Sequence, residues 1–197
     1  VRDDDATVSV RDRGFTLGDG LFETIQARKG RMSWFASHMV RLRESAAKLD
    51  LAIVLSDGAL RESVQQLLAL NGLAETGAVV RLSVSRGAAH ERGLGISSRA
   101  QPTTLITAAR FDGYPAELYR TGLRLVTSTI RRNSQSPSST LKTLSYVDNV
   151  LARHEATLAG VDDALMLNEH GHVASLSAAN IFLRARDGWL TPSLESG

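Results

Sequence analysis

Lysine is scarce in this chain. Of 23 basic residues only Lys29, Lys48 and Lys142 are lysines; the others are arginines. An ammonium can shed its proton and act as a nucleophile, which a guanidinium does not do in proteins. Lys142 has the surroundings for that chemistry. It follows a loop rich in hydroxyls (Ser134, Ser136, Ser138, Ser139, Thr140) and precedes an amphipathic stretch. A lysine ahead of a helix meets the positive end of the helix dipole, and a partly closed site adds desolvation. Both effects lower the amine pKa and make neutral amine available, as a Schiff-base lysine requires. The same spacing also describes a solvated lysine. Lys29 falls in an expected hairpin turn and Lys48 lies off an apolar helix stripe, so both read as solvated. Glu169-His170-Gly171-His172 sets two imidazoles in a turn, but zinc needs four placed ligands and nothing nearby supplies the others. No metal site is expected. His154, on an apolar helix face, reads as packed. With no cysteine there is no thiolate nucleophile, disulfide or Cys-based zinc site.

The elements that must position these groups follow from periodicity and turn chemistry. Strands are expected at 6–10, 21–27, 79–84, 103–109, 123–129, 164–167 and 180–183, with a hairpin turn at 28–31. Helices are expected at 37–49, from Ser56 or Asp57 to Asn71-Gly72, and at 144–158. In the last, Val147, Val150, Leu151, His154 and Leu158 form the face expected to pack inward. Residues 86–102 make a long polar loop, of a kind usually functional or mobile. Phe111-Asp112-Gly113-Tyr114-Pro115 has the composition of a linker. This gives an N-terminal α/β domain over 1–112, a linker over 113–119 and a C-terminal domain over 120–197, in an α+β protein.

Composition narrows the partners. Hydrophobic residues make up 43% of the chain, enough for a real core. No apolar run approaches the roughly 20 residues of a membrane helix, and the charged start, Val1-Arg2-Asp3-Asp4-Asp5, lacks the apolar stretch of a signal peptide. A soluble, cytoplasmic protein is the expectation. The net charge is +2 and the cations are scattered, which argues against nucleic acid.

Several separated stretches together resemble class IV (fold-type IV) pyridoxal-phosphate enzymes. That family holds the branched-chain and D-amino acid aminotransferases and 4-amino-4-deoxychorismate lyase. The stretches are Asp12-Arg13-Gly14 through Gly18-Asp19-Gly20-Leu21-Phe22-Glu23-Thr24, then His38-Met39-Val40-Arg41-Leu42. Leu141-Lys142-Thr143-Leu144 leads into Val150-Leu151-Ala152, followed by Val173-Ala174, Ser177-Ala178-Ala179-Asn180-Ile181-Phe182 and Leu190-Thr191-Pro192. They come in the family's order and span most of the chain.

The resemblance implies a two-domain fold and the cofactor pyridoxal 5'-phosphate, carried by Lys142 as a Schiff base. Arg41 resembles the arginine of the phosphate site, where a planar fork of donors suits phosphate oxygens. Ser175, Ser177, Ala178 and Asn180 resemble the segment around the cofactor. Phe22, Glu23 and Thr24 match the strand lining the substrate side. Arg86 and Arg92 resemble arginines of a loop that reaches an active site, in some relatives the neighbouring subunit's, so a homodimer is implied. Ser175 departs from the pattern: relatives carry there a Glu that pairs with the pyridine nitrogen, and a neutral hydroxyl cannot hold that proton by charge. The chain also stops where relatives enter a phosphate-binding loop, so a fragment with a partly missing, β-rich C-terminal domain is expected. The implied activity is transfer of an amino group between an amino acid and a 2-oxo acid. The alternatives are the lyase reaction, in which aminodeoxychorismate gives 4-aminobenzoate and pyruvate, and a catalytically weakened member of the family.

Overall fold

The computed structural model describes residues 3–89, 93–97 and 100–197. The chain forms two compact units, one of Val1–Gly113 with Lys142–Ser145 and one of Tyr114–Leu141 with Tyr146–Gly197.

In the first unit α1 (Arg13–Leu17) leads into β1 (Gly20–Arg28), β2 (Arg31–Met32), α2 (Phe35–Lys48), α3 (Asp57–Leu70), β3 (Gly77–Ser85) and β4 (Thr103–Arg110). The strands form one antiparallel sheet in the order β2-β1-β3-β4. Alternation gives the sheet two unlike faces. Leu21, Ile25 and Ala27 of β1 and Val80, Leu82 and Val84 of β3 are buried, as are Met39, Leu42 and Ala46 of α2 and Leu60, Val64 and Leu68 of α3. Each large aliphatic side chain so buried contributes about 1.5–3 kcal/mol, which holds both helices to the sheet. Local signals set the helix ends. Asp12 Oδ1 accepts the Gly14 N–H at 2.7 Å to start α1, and Ser56 Oγ accepts the Ala59 N–H at 3.2 Å to start α3.

In the second unit α4 (Ala116–Thr121) precedes β5 (Leu125–Arg132), α5 (Pro137–Thr140), α6 (Val147–Leu158), β6 (Asp163–Asn168), β7 (Val173–Leu176), β8 (Leu183–Ala185) and β9 (Gly188–Leu190). β5 runs parallel to β6 and β7 antiparallel to it, while β8 and β9 form a separate hairpin. The parallel pair requires a crossover, and α6 supplies it. Ala152, Ala156, Ala164 and Met166 form the core, with Val126, Ile130 and Val161 against them.

Four expectations need correction. Residues 6–9 are not a strand; Val8 and Val10 are exposed, and alternation without a partner strand does not make a sheet. The segment expected as linker contains α4. Asn180-Ile181-Phe182 lies outside the strands, and pairing begins at Leu183. The face of α6 is the largest difference. Val147, Val150, Leu151 and Leu158 are exposed, and the buried residues are Asn149, Ala152 and Ala156. Small side chains let the helix backbone come close to the sheet, where Met166 fills the space, and that proximity outweighs the larger apolar residues on other faces.

Candidate active site

Lys142 was expected just ahead of a helix. It lies instead in an extended segment hydrogen-bonded to the edge of β1. The Phe22 N–H donates to the Lys142 carbonyl at 2.9 Å and the Leu144 N–H to the Gly20 carbonyl at 2.9 Å. Leu21 and Thr143 form an antiparallel bridge. This is why Lys142–Ser145 packs with the first unit. β3 occupies one edge of β1 and β2 the far end of the other, which leaves the near end of that edge for this segment. Gly20 is required for the approach, since a Cβ there would lie 2.5 Å from the Val84 carbonyl oxygen and 2.7 Å from Leu144 Cδ1.

Alternation across this pairing puts Lys142 on the face of Phe22, opposite the helices. The Lys142 Nζ stands over the Phe22 ring, 4.3 Å from its centroid, and the Arg81 guanidinium carbon stands over the same ring at 3.8 Å. Two basic side chains thus stack on one buried aromatic ring, whose quadrupole attracts cations. Thr24, the next residue on that face of β1, pairs directly with Arg81 and is exposed. The structure therefore brings together Lys142, Phe22, Thr24 and Arg81. Arg81 did not stand out in the sequence. The available signal was its place inside Val79-Val80-Arg81-Leu82, where a charge between apolar neighbours must occupy the other face of the strand.

Glu23 corrects the assignment of the whole Phe22-Glu23-Thr24 run to the substrate side. It points to the helix face and is 1% exposed. Its Oε1 accepts from Arg41 Nε at 2.7 Å and its Oε2 from Arg41 Nη2 at 2.5 Å, with His38 Nδ1 2.8 Å from Oε2. Arg41, expected at a phosphate, is paired through this fork while 53% of its side chain remains exposed.

Arg86, expected on a loop that reaches an active site, lies just past the end of β3. It is 4% exposed and its guanidinium is engaged within the unit. Nε and Nη2 donate to Asp19 at 2.8 and 3.1 Å, Nη1 to the Asp50 carbonyl at 2.7 Å, and Nη2 to the Leu49 carbonyl at 2.8 Å. A cation on the carbonyls that end α2 is favoured by the helix dipole, and these contacts tie Arg86 to the first unit. Asp19 also accepts from Arg13 Nε at 2.8 Å, and Arg13 reaches the carbonyls of Gly93, Leu94 and Gly95 at 3.2–3.3 Å. Burial alone would raise the Asp19 pKa, but the hydrogen bonds and charges of Arg86 and Arg13 outweigh it and hold the carboxyl below its ordinary value. Arg92 lies outside the described residues.

In the second unit Ser175 pairs with Met166, and its Oγ is buried with no hydrogen-bond partner among the described residues. Ser177 is buried and structural: its Oγ donates to Asp163 Oδ1, its N–H to the Ala164 carbonyl at 3.0 Å, and its carbonyl accepts from Asn149 Nδ2 at 2.7 Å. Ala178 and Asn180 are exposed on the turn that follows. The buried Asn149 and Asp163 that hold this turn gave no signal in the sequence beyond polarity. Among the described residues no group of three or more His, Cys, Asp or Glu side chains is placed to hold a metal ion.

Comparison with known proteins agrees with this architecture. The sequence profile of the family described as Amino-transferase class IV matches residues 20–197. The aminodeoxychorismate lyase of Bacillus subtilis is 30% identical over 197 residues, all of this chain and 66% of its own length. A D-alanine aminotransferase of Listeria monocytogenes is 32% identical over 193 residues, covering 96% of this chain and 64% of its own length. The crystal structure of 4-amino-4-deoxychorismate lyase from Pseudomonas aeruginosa superposes with a TM-score of 0.84 at 33% identity, over 97% of this chain and 68% of that one. The chain thus spans slightly less than two thirds of the length of these two curated relatives. The fold is that of the fold-type IV enzymes, and the chain belongs to the amino-transferase class IV family.

Proposed function

We propose that this protein binds pyridoxal 5'-phosphate at Lys142 and transfers an amino group between an amino acid and a 2-oxo acid. The observation that carries this reading is the primary amine of Lys142, delivered by strand pairing to the Phe22 ring beside Arg81. The available donors suit the cofactor. An aldehyde needs an amine, a phosphate suits the planar fork of the half-exposed Arg41 side chain, and the buried Ser175 Oγ has no hydrogen-bond partner among the described residues. When bound, the cofactor supplies an electron-withdrawing ring that stabilises negative charge at the substrate Cα.

The residues then take separate parts. Lys142 would hold the cofactor through Nζ and, as a neutral amine, would move a proton to and from the substrate Cα. Phe22 keeps water from one side of that amine. Arg81 and the Thr24 hydroxyl face the substrate side, where Arg81 holds a carboxylate. Arg41 binds phosphate through its fork of donors. Ser177, held by Asp163 and Asn149, fixes the turn that carries Ala178 and Asn180. The curated relatives carry the names D-alanine aminotransferase and aminodeoxychorismate lyase, and we read this protein likewise as an enzyme, a cytoplasmic homodimer. Among the described residues no helix is long and apolar enough to cross a membrane.

Arg81→Gln tests the carboxylate assignment. A hydrogen bond between charged partners is worth about 1.5–3 kcal/mol, so KM is expected to rise about tenfold or more with a smaller change in kcat. An unchanged KM removes Arg81 from the substrate side.

A second reading, the lyase reaction, is supported by the Bacillus subtilis relative that aligns over the whole chain. Products separate the two. Transamination predicts a new amino acid and a new oxo acid from an amino acid and 2-oxo acid pair. Formation of 4-aminobenzoate and pyruvate from 4-amino-4-deoxychorismate, with no amino transfer, would replace the first reading by the second.

A further inference from the structure

Adjacent residues of β1 serve opposite faces of one sheet. Phe22 meets the Lys142 amine, and Glu23 meets Arg41 and His38 from the helix face. Glu23 is the notable member of the pair because it is almost completely buried. A carboxylate so placed carries a desolvation penalty of several kcal/mol, and apolar replacements of such groups are often neutral or stabilising. Holding α2 to the sheet therefore does not by itself call for a Glu at this position.

The geometry does more than hold a helix. Both carboxylate oxygens face the Nε–Nη2 edge of Arg41 in a bidentate fork. An arginine on a helix otherwise has side-chain rotamer entropy to lose before it can bind an anion in one orientation. Pairing with a strand residue that cannot move removes most of that freedom in advance. His38, one turn earlier on α2, contacts Oε2 and limits rotation of the carboxylate itself. Because Phe22 and Glu23 are consecutive on a strand, the ring under the lysine amine and the carboxylate behind the arginine are placed by one stretch of rigid backbone rather than by loops.

We propose that Glu23 is a positioning residue: it orients the Arg41 guanidinium for the cofactor phosphate, with His38 holding Glu23 in register. This rests on the reading of Arg41 as a phosphate ligand. The proposal predicts an effect confined to the phosphate, so the two probes are pyridoxal 5'-phosphate and pyridoxal, which differ only there. Glu23→Gln keeps the shape but turns an NH2 toward donors of Arg41 or His38. It is expected to weaken binding of pyridoxal 5'-phosphate about tenfold, the lower end of what losing an outer-shell partner costs, with pyridoxal affinity unchanged. In an Arg41→Met background the same substitution is expected to have no further effect.

Equal losses for both probes would make Glu23 a merely structural residue and overturn the proposal. So would an unaltered affinity for pyridoxal 5'-phosphate, or a Glu23→Gln effect that persists without Arg41. If Arg41→Met itself leaves the preference for the phosphorylated probe intact, the phosphate reading of Arg41 has failed, and the role of Glu23 falls with it. Should Glu23→Gln not fold, His38→Asn probes the same carboxylate from α2. The expectation there is about a threefold loss for the phosphorylated probe alone, since His38 only steadies a carboxylate that Arg41 still holds; no loss, or an equal loss for both, sinks the proposal.

Discussion

Lys142→Ala is expected to lower turnover about 10³-fold or more, the scale of losing a group that is both attachment point and proton carrier. The reason is positional as well as chemical. Phe22, Thr24 and Arg81 remain in place without the amine, because the segment is held to β1 by the carbonyl of Lys142 and the N–H of Leu144. The variant should therefore fold normally and fail only in chemistry. Lys29→Ala and Lys48→Ala supply the comparison. Lys29 is an exposed turn residue with φ 48° and Lys48 is exposed at the end of α2, so neither should change turnover. A Lys142→Ala protein with near-normal rates would remove the lysine from the reaction, whatever the family.

The largest expected effect on stability comes from Asp19→Ala. The change leaves the buried guanidinium groups of Arg13 and Arg86 without their shared anion. Removing one partner of a buried pair typically costs about 3–5 kcal/mol, and urea unfolding of the first unit should show a loss of at least about 3 kcal/mol on that scale. The pH dependence has a defined sign. The Asp19 carboxyl is held below its ordinary value in the folded protein. Its contribution is therefore complete above the ordinary carboxylate range and is lost as pH falls through the lowered value. The stability gap between wild type and Asp19→Ala should be constant near neutrality and narrow in acid. A gap that widens on acidification, or a loss below about 1 kcal/mol as for an exposed pair, would contradict the arrangement.

Much of the first unit was legible in the sequence because its signals are local. Alternation over 21–27 and 79–84, the cap at Ser56 and the turn after Arg28 all name their elements without reference to distant residues. The side chains of the site were less legible, for reasons that differ. Arg81 and Arg86 look alike in sequence, yet one lies on the open face of β3 and the other just past its end, against the last carbonyls of α2. Which of the two reaches the open face depends on where the strand stops. Glu23 sits between two residues of the open face, and only the pleat sends it to the opposite side. In α6 the apolar stripe pointed the wrong way, since the sheet selects the residues that permit the closest approach rather than the most hydrophobic ones. The ties of Ser177 to Asp163 and Asn149 join positions 14 and 28 residues away, and no local pattern reports them.

The measurement that reaches the centre of the account is the address of the covalent label. The protein, loaded with pyridoxal 5'-phosphate, is reduced with borohydride, digested and mapped by mass spectrometry. The pyridoxyl mass should appear on the peptide containing Lys142, and there alone. A label on Lys29 or Lys48 instead, or none at saturating cofactor, would contradict it.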